Sequence, residues 1–257
     1  MVRVAGRAVH SGLTCSVTLH RVAGPTRFRR GYVEVPADLA HVIGAERATS
    51  LGADGAKVHM VEHLLAALRV AGFFAGVLVE ASADELPILD GSAAPWAAAV
   101  AELGEPPPAP APLVMTAPVS VSVGGARGRV MPGRESLAYE IEFAHPAIGI
   151  QTWAGGPGAY GELLEARTFG FLSDREALLA RGLALGADEE HVIVFAMDGP
   201  SRPLRHAQEP VRHKALDALG DLALLGRPLE GAVSIHRGSH ALHHELARAA
   251  LRHVGAE

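Results

Sequence analysis

Gly104-Glu105-Pro106-Pro107-Pro108-Ala109-Pro110-Ala111-Pro112 is the stretch that decides how this chain is organised. Each proline fixes φ and removes a backbone donor, so neither a helix nor a central strand runs through it. What remains is a stiff, extended connection. The stretch predicts a division into residues 1–104, a linker over 105–112, and residues 113–257. On either side, short alternating segments read as antiparallel strands, at 14–19 and 28–35 before the linker and 113–123 and 137–143 after it. Each part then carries a long apolar-rich helix, expected at 57–70 in the first and 210–225 in the second. Further helices are expected at 94–103, 160–166, 173–180 and 240–254. The glycine-flanked apolar run 182–195 is expected to join the preceding helix in a strand–helix–strand unit. The same order in both parts points to a duplicated unit. The fold class is α+β, with two similar two-layer domains, each a sheet covered on one side by helices.

The composition excludes several classes of function. At 257 residues, with 49% hydrophobic and 20% charged residues, the chain has enough material for a sizeable core. A net charge of −5 without a basic block argues against nucleic acid as a partner. No apolar run approaches the roughly 18–20 residues of a membrane-spanning helix. The start, Met1-Val2-Arg3-Val4-Ala5-Gly6, lacks the apolar core of a secretory signal, so a cytoplasmic monomer is expected. Cys15 is the only cysteine, which rules out an internal disulfide and a thiolate metal site. With 14 histidines, any metal site must use nitrogen and oxygen donors, which suits catalytic zinc, or iron(II) or cobalt(II).

Working outward to the second long helix, His213 and Asp217 stand four apart in Val211-Arg212-His213-Lys214-Ala215-Leu216-Asp217-Ala218-Leu219-Gly220-Asp221. Residues at i and i+4 share a helical face with Cβ atoms about 5–6 Å apart, close enough for both side chains to grip one ion. Asp221 extends that face by a turn. A lone His-x-x-x-Asp is most often a solvated stripe, so a third ligand has to come from elsewhere. Val58-His59-Met60-Val61-Glu62-His63-Leu64-Leu65 offers His63, an imidazole set among leucines and alanines. Successive helical side chains diverge by about 100°. If His63 holds the ion, Glu62 is therefore better placed to act as a general base on water there than to share the ion. His59 and His63 form a rival i, i+4 pair. Of the 23 basic residues only Lys57 and Lys214 are lysines, and Lys214 adjoins His213.

Three further segments have chemical content. Glu165-Ala166-Arg167-Thr168-Phe169-Gly170-Phe171 places the Thr168 hydroxyl and a run of backbone amides where an oxyanion could be held. Arg237-Gly238-Ser239-His240 presents His240 just after a flexible turn, suited to general-acid work. Should the helix start early, His236, His240 and His244 instead form a surface stripe. Asp84-Glu85-Leu86-Pro87-Ile88-Leu89-Asp90-Gly91-Ser92 reads as a structural turn.

With these segments in order, the chain resembles the UDP-3-O-acyl-N-acetylglucosamine deacetylases, zinc enzymes of lipid A biosynthesis. The resemblance runs nearly end to end. It rests on His10-Ser11-Gly12, Phe28-Arg29-Arg30, Val61-Glu62-His63-Leu64, Leu86-Pro87-Ile88-Leu89-Asp90-Gly91-Ser92-Ala93, Ala166-Arg167-Thr168-Phe169-Gly170-Phe171, Val211-Arg212-His213-Lys214, Asp217, Gly220-Asp221-Leu222 and His240-Ala241-Leu242. It implies His63, His213 and Asp217 as zinc ligands and Glu62 as general base. It also implies His240 as general acid oriented by Asp221, Thr168 assisting the oxyanion, and Lys214 and Phe169 contacting substrate. An active site between two α+β domains is implied too, with an acyl-chain-binding insert near 171–198. The implied substrate is an acylated UDP-sugar, deacetylated at an early committed step of lipid A synthesis. Two alternatives stay open: the same chemistry on another N-acylated sugar nucleotide, and a non-catalytic metal-containing binding protein. The chain departs from the family pattern at Gly6-Arg7-Ala8-Val9, Met60, Met131 and Gly238-Ser239.

Overall fold

The computed structural model describes residues 1–255. The first half contributes β1 (Val2–Arg7), β2 (Thr14–Arg21), β3 (Arg27–Arg30), β4 (Val33–Pro36), β5 (Val42–Gly44), β6 (Ser50–Ala53), β7 (Ala56–His59), α1 (Glu62–Val70), β8 (Val77–Ala81) and α2 (Ala94–Ala101). The second contributes β9 (Leu113–Val114), β10 (Val119–Val123), β11 (Ala126–Met131), β12 (Ser136–Glu142), β13 (Ile150–Gly155), β14 (Phe169–Phe171), α3 (Arg175–Ala180), β15 (Ile193–Ala196), β16 (Gly199–Pro200), α4 (Glu209–Leu222), β17 (Leu229–Glu230), β18 (Ala232–His236) and α5 (His240–Val254). The fold is α+β, as the sequence indicates.

Two five-stranded sheets repeat one topology. The first has the order β1-β2-β8-β3-β4 and the second β10-β11-β18-β12-β13. In each, the last strand in sequence enters the middle and runs parallel to the third, β8 beside β3 and β18 beside β12. One helix precedes that central strand and one follows it, α1 and α2 in the first half, α4 and α5 in the second. The alternation is clean in β12, where Leu137, Tyr139 and Ile141 face the core and Ala138 and Glu142 face solvent. Residues 105–112 adopt neither helix nor strand.

The sequence differs from the structure where two periodicities overlap. The helix expected over 57–70 begins only at Glu62, because Ala56–His59 is β7, paired with β6. Asp54 and Gly55 make the two-residue turn between them, both with positive φ (47° and 81°). An Asp-Gly turn of this kind matches the twist of a hairpin. Met60, with φ 63°, then redirects the chain into α1. The segment 28–35 is a hairpin, β3–β4, with Gly31 at positive φ in its turn. The segment 113–123 divides into β9, which pairs with β17, and β10. Pro118 lies in the break and cannot donate to a ladder. The helix expected at 160–166 is a 3-10 segment, Pro157–Leu163. In the strand–helix–strand unit, β14 and β15 are parallel and flank α3. Residues 182–186 are not part of its sheet. They fold back so that the amides of Leu185 and Gly186 donate to the carbonyls of His10 and Val9.

The two halves meet along α1 and α4, which pack side by side. Leu64, Leu65 and Leu68 of α1 and Ala215, Leu216 and Leu219 of α4 are buried in the shared core. The approach is close enough that a Cβ at Gly220 would lie 2.1 Å from the Glu62 carbonyl oxygen. Gly→Ala inside a helix ordinarily gains about 1 kcal/mol of propensity. Here the clash involves backbone, which cannot rotate away. Gly220→Ala is therefore expected to destabilise by about 1–3 kcal/mol in chemical denaturation, as overpacked sites do. Unchanged or increased stability would show that α1 and α4 are not locked in this register.

Candidate active site

Four segments deliver the ionisable groups to one place. The first turn of α1 brings Glu62 and His63, and α4 brings His213, Lys214, Asp217 and Asp221. The first turns of α5 bring His240, His243 and His244, with Ser239 capping the helix by accepting from the Leu242 amide. The segment ahead of β14 brings Thr168. All but Lys214 and Thr168 are buried.

One ligand atom from each of His63, His213 and Asp217 lies within 4.8 Å of the other two. Asp217 Oδ1 is 3.4 Å from His213 Nε2 and 3.7 Å from His63 Nε2, and the two imidazoles stand edge to face, 5.1 Å between ring centres. These separations exceed hydrogen-bond length. They lie within about 0.1 Å of the ligand-to-ligand spacing of about 3.3–3.6 Å that bonds of 2.0–2.2 Å impose around a tetrahedral ion. The donor set therefore fits a divalent cation of the zinc type, and three protein ligands leave a fourth position open. His213 Nδ1 donates to the Ala166 carbonyl at 3.2 Å, which fixes the tautomer and leaves the Nε2 lone pair facing Asp217. His63 Nδ1 is buried without a hydrogen-bond partner among the described residues.

The electrostatics favour ligand-ready protonation states. Burial drives the His213 pKa down to about 4, so the imidazole is neutral at pH 7. Burial works against charge on Asp217 as well, but His213 and Lys214 outweigh it and hold its pKa well below the usual carboxylate range. Lys214 Nζ donates to Asp217 Oδ2 at 2.8 Å, which leaves Oδ1 to the histidines. The same ammonium lies 5.8 Å from the centre of the Phe169 ring.

Beside this cluster stand a buried carboxyl and a buried imidazole, Glu62 and His240. Glu62 Oε2 accepts from the Thr49 amide at 3.0 Å, and Oε1 faces His240 Nε2 at 3.9 Å. Burial pushes the Glu62 pKa up. His240 Nδ1 donates to Asp221 Oδ2 at 2.8 Å. Burial opposes charge on His240, yet the nearby Asp221 carboxylate prevails and raises its pKa to about 9. Asp221 also accepts from His243 Nδ1 at 2.8 Å and from the Thr49 hydroxyl at 2.5 Å.

Glu62, His63, Thr168, Phe169, His213, Lys214, Asp217 and His240 all border a single cavity of about 310 Å³. That volume lies in the range of small-molecule sites. Its remaining wall is largely apolar, from Phe171, Leu178, Leu179, Leu185, Val192 and Val194. A wider concavity of about 540 Å³ lies on the outer face of the second sheet and holds none of the metal-capable clusters.

Every site residue expected from the sequence borders this cavity except Asp221, which sits behind His240. Two rival readings are excluded and one is narrowed. His59 is not a partner of His63, because it lies on β7 with Nδ1 bonded to the Ser50 hydroxyl at 2.7 Å. His236 belongs to β18 and bonds Glu140, while His240 and His244 are buried, so there is no histidine surface stripe. The Thr168 amide is taken by the Gly91 carbonyl at 2.7 Å, which leaves its hydroxyl as the group it can offer. Met131 pairs with Ala232 in the second sheet and is not part of the cavity wall. Thr49 and His243 were not read from the sequence, and His244 was read only as part of a surface stripe. Two histidines immediately following the acid-histidine turn were the available signal for the latter pair, whereas Thr49 carried none.

A three-ligand metal cluster flanked by a buried carboxylate and an imidazole is the arrangement of metal-dependent hydrolases. Residues 1–252 match the family described as UDP-3-O-acyl N-acetylglycosamine deacetylase, and the chain belongs to that family. It is 41% identical to the UDP-3-O-acyl-N-acetylglucosamine deacetylase of Thermosynechococcus vestitus, over 95% of this chain and 90% of that one. The enzyme of the same name from Myxococcus xanthus is 39% identical over 95% of this chain and 82% of its own. That from Geobacter sp. strain M21 is 35% identical over 96% and 86%.

His213→Ala should abolish stoichiometric metal binding, measured by elemental analysis after dialysis against zinc, while Glu62→Gln retains it. Equal metal content in the two variants would exclude the cluster as the binding site.

Proposed function

We propose that this chain is a zinc-dependent amidohydrolase that removes the N-acetyl group from UDP-3-O-(3-hydroxyacyl)-N-acetylglucosamine. The products are UDP-3-O-acyl-glucosamine and acetate, and the step is an early, committed one in lipid A biosynthesis. The single observation carrying this reading is the meeting of His63, His213 and Asp217 beside Glu62 and His240 in one cavity with an apolar wall. Family membership supplies the substrate. In this reading residues 1–104 and 113–257 are the two domains and 105–112 their linker. The insert near 171–198 receives the acyl chain.

When bound by His63, His213 and Asp217, the ion supplies Lewis acidity toward the acetamide carbonyl and acidifies water. Glu62 accepts the proton of the attacking water. Its raised pKa brings its proton affinity closer to neutrality, as a general base requires. The Thr168 hydroxyl donates to the oxygen that gains negative charge. His240 delivers a proton from Nε2 to the departing nitrogen as the C–N bond breaks, and Asp221 holds its Nδ1 side. Acetate leaves and the sugar keeps a free amine. Lys214 and Phe169 contact the substrate at the mouth of the polar end. A binding protein that merely retained a metal would have no use for a buried base and acid 3.9 Å apart.

The defining test is acetate release from N-acetylated sugar nucleotides with graded acyl chains, with and without chelator. No chelator-sensitive release from any of them would refute the reading. Glu62→Ala is expected to lower kcat by about 10²–10⁴-fold, the usual contribution of a general base. Turnover at the parent rate would remove Glu62 from that role. Because His240 acts while protonated, activity should fall as pH rises through about 9. Asp221→Asn removes the charge that raises this pKa and should move the alkaline limb to lower pH. A limb that stays in place in Asp221→Asn belongs to another group.

A further inference from the structure

Thr49 lies just ahead of β6 and is fully buried, in a segment without recognisable chemistry of its own. Its amide donates to Glu62 Oε2 at 3.0 Å and its hydroxyl donates to Asp221 Oδ1 at 2.5 Å. His244 Nε2 lies 3.0 Å from the same hydroxyl. A hydroxyl has one proton to give. Asp221 is ionised and can only accept, so the hydroxyl gives its proton to that carboxylate and its oxygen is left to accept from His244 Nε2. Thr49 is itself held at the seam, because its carbonyl accepts from the Val61 amide at the entrance to α1. The residue therefore touches a carboxylate from each half of the chain, Glu62 on α1 and Asp221 on α4.

The separation between Glu62 and His240 makes this contact consequential. A carboxylate and an imidazole 3.9 Å apart in a buried site attract strongly, and a small swing of either would close them into a direct hydrogen bond. In that collapsed state neither atom could meet a substrate. Glu62 is restrained through its other carboxylate oxygen, Oε2, by the Thr49 amide. His240 is restrained through Asp221, whose Oδ2 accepts from it and whose Oδ1 is anchored by the Thr49 hydroxyl.

We propose that Thr49 is a positioning residue that keeps the base Glu62 and the acid His240 apart, its hydroxyl fixing Asp221 and thereby the imidazole. This rests on the amidohydrolase reading given above. Thr49→Ser and Thr49→Ala both lose the methyl group, so the difference between them isolates the hydroxyl. Thr49→Ser should retain parent kinetics. Thr49→Ala should lose about 10–100-fold in kcat, the typical effect of removing an outer hydrogen-bond partner, with KM and zinc content unchanged. Thr49→Val, which keeps the volume, carries the same expectation should the alanine variant not fold.

A second measurement needs neither metal nor substrate. In the metal-free protein, the Nδ1–H resonances of His240 and His243 should keep their positions in Thr49→Ser and move in Thr49→Ala. Equal kcat in the serine and alanine variants overturns the proposal, as does a loss confined to KM or zinc content. So does folding of the serine variant when both hydroxyl-free variants fail to fold. Absence of acetate release by the parent protein would instead refute the amidohydrolase reading, and the histidine resonances would still test the role of Thr49.

Discussion

The register of α1 against α4 is the constraint on which the rest depends. His63 is carried by one helix and His213 and Asp217 by the other, so three ligand atoms converge only if the two backbones approach at the right height. Gly220 sets that height. It sits between Asp217 and Asp221 on α4 and lets the Glu62 carbonyl press where any side chain would project. The close contact and the ligand cluster are thus two consequences of one packing decision. The duplicated topology supplies the frame, since α1 and α4 hold equivalent places ahead of β8 and β18.

Three buried carboxylates surround the site, and the difference in their partners separates their roles. Asp217 is met by the Lys214 ammonium and faces two imidazoles. Asp221 accepts from two imidazoles and a hydroxyl. For both, these partners outweigh the penalty of burial and keep the carboxylate charged. Glu62 receives one backbone amide and meets His240 only at 3.9 Å, so burial prevails and its proton affinity rises. One carboxyl of raised proton affinity and two that stay charged thus arise from one residue class, distinguished by hydrogen-bond supply. Truncating either well-partnered aspartate would strand cations or donors in the interior, which is far more disruptive than losing an exposed ion pair.

Much of this was legible in the sequence because it depends on local spacing. The four-residue interval from His213 to Asp217 places both on one helical face whatever surrounds them, and His63 stands out among leucines and alanines. The proline-rich segment and the repeated strand-then-helix order indicate a doubled α+β architecture for similarly local reasons. The error at 57–70 is instructive. Val58, Val61 and Leu65 fit a helical stripe, while Val58 and Met60 also fit a strand, and Asp54-Gly55 was the turn signal that should have separated hairpin from helix. Thr49 was illegible for a different reason. Its importance lies in a contact with Asp221, 172 residues away, and no local pattern encodes a hydrogen bond across the seam.

The cavity joins two environments that a purely polar substrate would not need. Its ionisable end is built by α1, α4 and α5, whereas its apolar wall comes largely from the β14–α3–β15 unit. Two of the wall residues, Leu179 and Leu185, remain 39% and 49% exposed, while neighbouring Ile193 and Phe195 are buried. Apolar area left open beside a closed core gains about 25 cal/mol for each Å² taken from water. An occupant with a hydrocarbon chain would supply that coverage, and a bare sugar nucleotide would not. In the proposed function, the apolar wall bears on selectivity between acylated and unacylated sugars, while the metal-capable cluster with Glu62 and His240 bears on which bond breaks.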